Sequence, residues 1–180
     1  NCPTLDWDIM AKDLQYPTEY KNRLIYFNAP KSYLLKWEKE YNAAVEKEGV
    51  EKVLLSKEKS LPNFAYKQKI LKKLNENNCL LLLGSDAGNS FQMNGFNMYE
   101  EMLNWSKAGI DNFTILKSAT ITPAIFFNED KIWGTIEVGK SADLIIIEKN
   151  PLEDITNIKT IEFTIIDGKV YSKKELLSNF

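Results

Sequence analysis

Apolar and polar positions change period along the chain, and the changes mark out helical, extended and turn-rich stretches. From Pro30 onward, Leu34, Trp37, Tyr41, Ala44 and Val45 recur at helical spacing, with Lys36, Glu38, Lys39, Glu40, Glu46 and Lys47 off the stripe. This predicts an amphipathic helix whose aromatic residues face the core. Asn28 reads as its cap, Pro30 falls in its first turn, and Gly49 ends it. Leu61, Phe64, Gln68, Leu71 and Leu74 predict a second helix over 61–75, stopped by Asn77 and Asn78. The run Cys79-Leu80-Leu81-Leu82-Leu83 follows, closed by Gly84-Ser85-Asp86-Ala87-Gly88. A continuous apolar run between turn signals predicts a strand buried on both faces, as in parallel sheets and barrels.

Beyond a polar loop over 87–96, Asn97 with Glu100 resembles a capping box that opens a helix carrying Met98, Met102 and Trp105 inward and closing at Gly109. Asp111 is set to cap the next helix, with Phe113, Leu116 and Ala119 inward and Pro123 as its breaker. From about residue 129 the pattern becomes short and strand-like. Strands are predicted over 133–138 and 143–148, a helical turn over 152–155, and a hairpin of 161–166 with 169–171 around Asp167-Gly168, a type I′ signal. A last helical turn is predicted over 173–178. The tail has too few strands to cover both faces of its own sheet. Residues 6–28 have no clean period and read as a long excursion with one helical turn.

Composition narrows the partners. The formal net charge is −2, from 23 basic and 25 acidic residues. That balance excludes a strongly basic nucleic-acid or membrane-binding surface, and no apolar run reaches membrane-spanning length. Cys2 and Cys79 form no paired motif and read as buried thiols, a usage compatible with the cytoplasm. The sequence has no histidine, which removes the commonest general base and metal ligand. It begins at Asn1, so an upstream segment is expected.

Candidate chemistry centres on Asp86. Just past the C-terminal end of a buried strand, a carboxylate can ligate a metal or exchange a proton with water; equally, a turn Asp can cap its own backbone. Trp7, Asn89, Gln92 and Asn94 are positional candidates for substrate contact, set against an ordinary polar connection. Asp6 and Asp8 form a conceivable carboxylate pair, with a solvated loop as the alternative.

Gly84-Ser85-Asp86-Ala87-Gly88, then Gly134-Thr135-Ile136-Glu137-Val138-Gly139-Lys140-Ser141-Ala142-Asp143-Leu144, then Asn150-Pro151-Leu152-Glu153-Asp154-Ile155 and Ile166-Asp167-Gly168-Lys169-Val170 follow in order. Together these runs resemble the C-terminal part of the amidohydrolase superfamily, in its imidazolonepropionase-like and prolidase-like branch. Cys2-Pro3-Thr4-Leu5 is similar to that family's seventh barrel strand. The resemblance implies an α/β fold: the last two strand–helix units of a (β/α)₈ TIM barrel over 1–128, and the C-terminal half of a small composite β-sandwich over 129–180. It implies a metal-dependent hydrolase of C–N bonds in small amide-type substrates, with Asp86 as metal contact and proton shuttle and a divalent metal, zinc by expectation, in the full-length parent. The family's other ligands lie on earlier strands: a His-x-His pair, a carboxylated Lys or Glu, and two further His. None is in this sequence. A full barrel takes about 250 residues, so these 180 are expected to hold no metal and to be inactive alone. Their exposed sheet is expected to be covered by the missing part of the barrel or by another chain, a second copy included. The alternatives are a non-catalytic association fragment and a metal-free small-molecule binding domain.

Overall fold

The computed structural model describes residues 1–10, 24–59, 61–88 and 91–178. In chain order the helices are α1 (Leu5–Met10), α2 (Leu24–Asn28), α3 (Lys31–Glu48), α4 (Val50–Glu58), α5 (Leu61–Glu76), α6 (Phe96–Lys107), α7 (Asn112–Ala119) and α8 (Ile121–Phe126). Strand β1 (Leu144–Ile147), a 3₁₀ helix (Ile155–Lys159), strands β2 (Ile161–Ile166) and β3 (Lys169–Ser172), and α9 (Lys173–Leu177) follow.

The helices stop where local chemistry stops them. Gly49 at φ 82° closes α3, and its N–H bonds to the Val45 carbonyl. Asn78 at φ 55° ends α5, with the Cys79 N–H reaching back to the Leu74 carbonyl at 3.0 Å. This satisfies a carbonyl that the helix end would otherwise orphan. Gly109 at φ 85° does the same for α6. Asp111 caps α7 by accepting from the Thr114 N–H at 2.9 Å, and bonds from Thr114 hold its carboxyl below the usual range. A depressed folded-state pKa stabilises above the unfolded pKa, and the gain is lost as pH falls through the folded value. Asp111→Ala is therefore expected to cost about 1 kcal/mol at neutral pH. In urea titrations its deficit against the parent should begin to shrink as pH falls below about 4 and vanish only below the lower folded value.

Several boundaries differ from the sequence reading. Asn28 ends α2, and the N-cap of α3 is Pro30, with no side-chain cap bond. Helix α4 was not predicted; its apolar residues Val50 and Leu55 are half-exposed, so no clean stripe marked it. Helix α6 begins one residue before Asn97, with Gly95 at its N-cap. The Asn97 side chain is used elsewhere, so the expected capping box is absent. Phe113 is 63% exposed, and Ile115 and Ser118 take the inward face of α7. The break after α7 falls at Thr120, and Pro123 sits inside the first turn of α8, where a missing N–H costs little. Residues 133–138 form turns and bends instead of a strand, and 152–155 give way to the 3₁₀ helix.

One core joins α1, α5, α6, α7, the 79–85 segment and the 3₁₀ helix. It contains Leu5, Leu71, Leu81, Leu83, Trp105, Ile110, Ile115 and Ile155. A second, aromatic cluster packs Trp37 of α3 on Phe91, with ring centroids 5.7 Å apart, and gathers Tyr26, Tyr41, Met93 and Phe96. The predicted inward face of α3 is thus only partly covered: Trp37 is buried and Ala44 exposed.

The tail is an antiparallel sheet in the order β1-β2-β3. Asp167 (φ 49°) and Gly168 (φ 76°) turn the β2–β3 hairpin as predicted, both in the left-handed region that a type I′ turn demands. A capping box between Ser172 and Glu175 starts α9. No strand residue is buried, and Ile145, Ile146, Phe163, Ile166 and Val170 are all at least 40% exposed.

Candidate functional site

Residues 79–86 form no regular strand, and they are not buried on both faces. Leu81, Leu83 and Ser85 are buried, whereas Leu80 is 47% exposed and Asp86 is exposed. Helices cover one face only, so the run alternates despite its uniform composition. The terminal amine of Asn1 donates to the Leu80 carbonyl at 3.0 Å, and the Leu82 N–H donates to the Asn1 carbonyl at 2.8 Å. Bonds from one residue to both neighbours of its partner are a parallel pairing. The two segments therefore point the same way, and Asp86 emerges at the same edge as Thr4 and α1.

Cys2 seals this pairing. A Cβ on Gly84 would lie 2.8 Å from the Cys2 sulfur, so the absence of a side chain at 84 permits the close approach. Both cysteines are exposed free thiols, contrary to the sequence reading. Partial burial, then the charge of Glu101, push the Cys2 thiol up, away from the reactive thiolate.

Asp86 has φ 52°, a conformation that Asp tolerates better than most residues. Its carboxylate makes no hydrogen bond or ion pair among the described residues. Beyond it, the Gly88 N–H donates to Gln92 Oε1 at 3.3 Å. Gln92 is buried, Asn94 is exposed, and Trp7 is half-buried in α1. Asn89 lies outside the described residues.

Sequence reasoning missed a buried polar group beside this edge. Asp6, read as part of a solvated loop, is 1% exposed, and Glu101 is fully buried. Glu101 Oε1 accepts from the Leu5 N–H at 2.8 Å and the Trp105 indole N–H at 2.7 Å, while Oε2 accepts from the Asp6 N–H. The Asn97 amide donates to Asp6 Oδ2 and accepts from the Met93 N–H. The available signal was spacing: Asn97, Glu101 and Trp105 stand at i, i+4 and i+8 on one helical face, where an indole tends to be inward.

The fold and this edge define a mixed helix-and-sheet protein whose exposed candidate for chemistry is one carboxylate beside a parallel pairing. A model of the amidohydrolase family matches residues 36–171, and the chain belongs to that family. It is 32% identical over 132 residues to a 5-methylthioadenosine/S-adenosylhomocysteine deaminase of Caldanaerobacter subterraneus subsp. tengcongensis, covering 62% of this chain and 29% of that protein. It is similar to a solved Xaa-Pro dipeptidase with methionine in its active site, at 27% identity and TM-score 0.59 over 72% of this chain and 32% of that one. Its fold is also similar to that of bottromycin amidohydrolase, at 20% identity and TM-score 0.68 over 97% of this chain and 37% of that one. The chain thus spans about a third of the length of these relatives.

Proposed function

We propose that this chain supplies the C-terminal part of a hydrolase acting on C–N bonds, with Asp86 as its proton-carrying carboxylate. In this reading residues 1–128 contribute two strand–helix units to a (β/α)₈ barrel, and 129–180 contribute strands to a composite sandwich. The observation that carries it is the exposed carboxylate, unpaired among the described residues, at the end of a parallel-paired segment, the edge where α/β folds gather catalytic groups. As carboxylate, Asp86 takes a proton from the attacking water as oxygen adds to the substrate carbon. It returns that proton to nitrogen as the C–N bond breaks. The relatives suggest two substrate classes to try, Xaa-Pro dipeptides and 5-methylthioadenosine-type nucleosides.

The divalent metal that the family implies does not fit these side chains by themselves. The sequence lacks histidine, and among the described residues no three His, Cys, Asp or Glu side chains come together. Asp86 offers at most one ligand. The chain alone is accordingly proposed to be inactive, with a covering polypeptide supplying the rest of the centre.

A second reading, a non-catalytic association module, is favoured by the exposed apolar residues of the tail sheet. Assays of ammonia and proline release separate the two. The 180-residue chain, with or without added zinc, is expected to give neither. In the polypeptide that carries this segment within a complete barrel, Asp86→Asn is expected to lower kcat by about a hundred- to ten-thousand-fold without changing thermal unfolding. Full turnover by that variant removes Asp86 from the chemistry, and turnover by the isolated chain removes the need for a partner.

A further inference from the structure

We infer that Glu101 is a positioning residue that clamps a strained turn at Thr4 and thereby fixes the edge from which Asp86 projects. Thr4 has φ 46°. A β-branched residue rarely occupies this region, and the conformation persists only where its surroundings over-determine it. Glu101 supplies that constraint: its buried carboxylate takes the backbone N–H groups of both residues that follow Thr4, and the Trp105 indole fixes its rotamer. Bonds to a buried charge are among the stronger ones, and losing one leaves a donor buried without an acceptor.

The clamp reaches Asp86 from both sides. Upstream, the turn at Thr4 sets where residues 1–3 lie, and there Asn1 pairs with Leu80 and Leu82 and the Cys2 sulfur packs on Gly84. Downstream, Asn97 joins Asp6 to the Met93 backbone, and neighbouring Gln92 holds Gly88. Asp86 lies between Gly84 and Gly88, so its backbone is fixed from each end.

The role in positioning a reacting group rests on the proposed function of Asp86, but the clamp itself does not, and amide exchange in the 180-residue chain tests it without any turnover. Glu101→Gln places an amide NH₂ where an acceptor is needed. It is expected to speed exchange at Leu5 and Asp6 by about ten-fold or more and to move the Asp86 and Ala87 amide shifts, with exchange at Ile115 unchanged. Adding Thr4→Gly, which has no penalty at positive φ, is expected to recover most of that protection. Thr4→Gly alone, which cannot empty the core should Glu101→Gln fail to fold, is expected to slow exchange at both amides by about three-fold. The inference is overturned if the loss of protection in Glu101→Gln is uniform across the chain, if the Asp86 shifts stay put, or if Thr4→Gly leaves exchange at Leu5 and Asp6 unchanged or faster. Should the clamp pass these tests while Asp86→Asn retains turnover in the complete enzyme, the functional reading fails and the clamp stands.

Discussion

Replacing Trp105 by alanine is expected to destabilise the chain by about 5 kcal/mol. Large-to-small changes at a buried aromatic cost about 3–5 kcal/mol through lost transfer energy and the cavity left behind. Trp105 is fully buried in the core shared by α1, α5, α6, α7, the 79–85 segment and the 3₁₀ helix, so the cavity would open where several elements meet. The indole N–H is also one of the donors to Glu101 Oε1, at 2.7 Å, and its loss leaves a buried charge less well satisfied. Hydrogen bonds to charged groups contribute about 1.5–3 kcal/mol, part of which returns as the site relaxes. Folded domains retain only about 5–15 kcal/mol, so the variant should be barely folded at room temperature. Urea unfolding measures this directly, with Trp105→Phe as the comparison that keeps most of the volume and loses only the donor. A deficit below about 2 kcal/mol for Trp105→Ala would mean that this core is not closely packed.

Gly134→Ala is expected to cost about 2–5 kcal/mol and to free the 129–141 segment from α8. Two effects add. At φ 101° any side chain strains the backbone, by about 1–2 kcal/mol. The added Cβ would also stand 2.9 Å from the Ala124 Cβ and 3.0 Å from the Ile121 Cα, and backbone cannot swing aside as a flexible side chain can. Overpacking of this kind costs about 1–3 kcal/mol. Gly139 separates the two terms: it has a similar φ of 93°, but nothing lies within 4 Å of its would-be Cβ. Gly139→Ala should therefore show the backbone part alone. Thermal unfolding gives the totals, and proteolytic cleavage within 129–141 in Gly134→Ala alone would locate the damage. Equal losses for the two variants would show that the contact with α8 contributes nothing.

Helix α5, the Gly109 stop, the Asp111 cap and the Asp167-Gly168 turn stand where the sequence reading expects them. Each is decided within three or four residues: a side-chain oxygen reaches the nearest free N–H, or a residue that tolerates positive φ fills a position that requires it. Where this locality fails, so does the reading. The Leu-rich run at 80–83 looks apolar on both faces, yet only the helix-covered face is buried, because the number of neighbouring layers is not written in the run itself. Phe113 is exposed for a related reason: α7 is short, and Ile115 and Ser118 take the few inward positions that its packing offers.

At the candidate site, the sequence by itself determined that a carboxylate follows an extended apolar run and that no histidine accompanies it. The tertiary structure decided that Asp86 is exposed while Asp6 and Glu101 are buried. Whether a carboxylate can leave water depends on which donors meet it, since an unpaired buried charge is prohibitively costly. For Glu101 two of those donors are the N–H groups of Leu5 and Asp6, more than ninety residues away along the chain. No local pattern around 101 specifies them; they arrive only when α1 docks on α6.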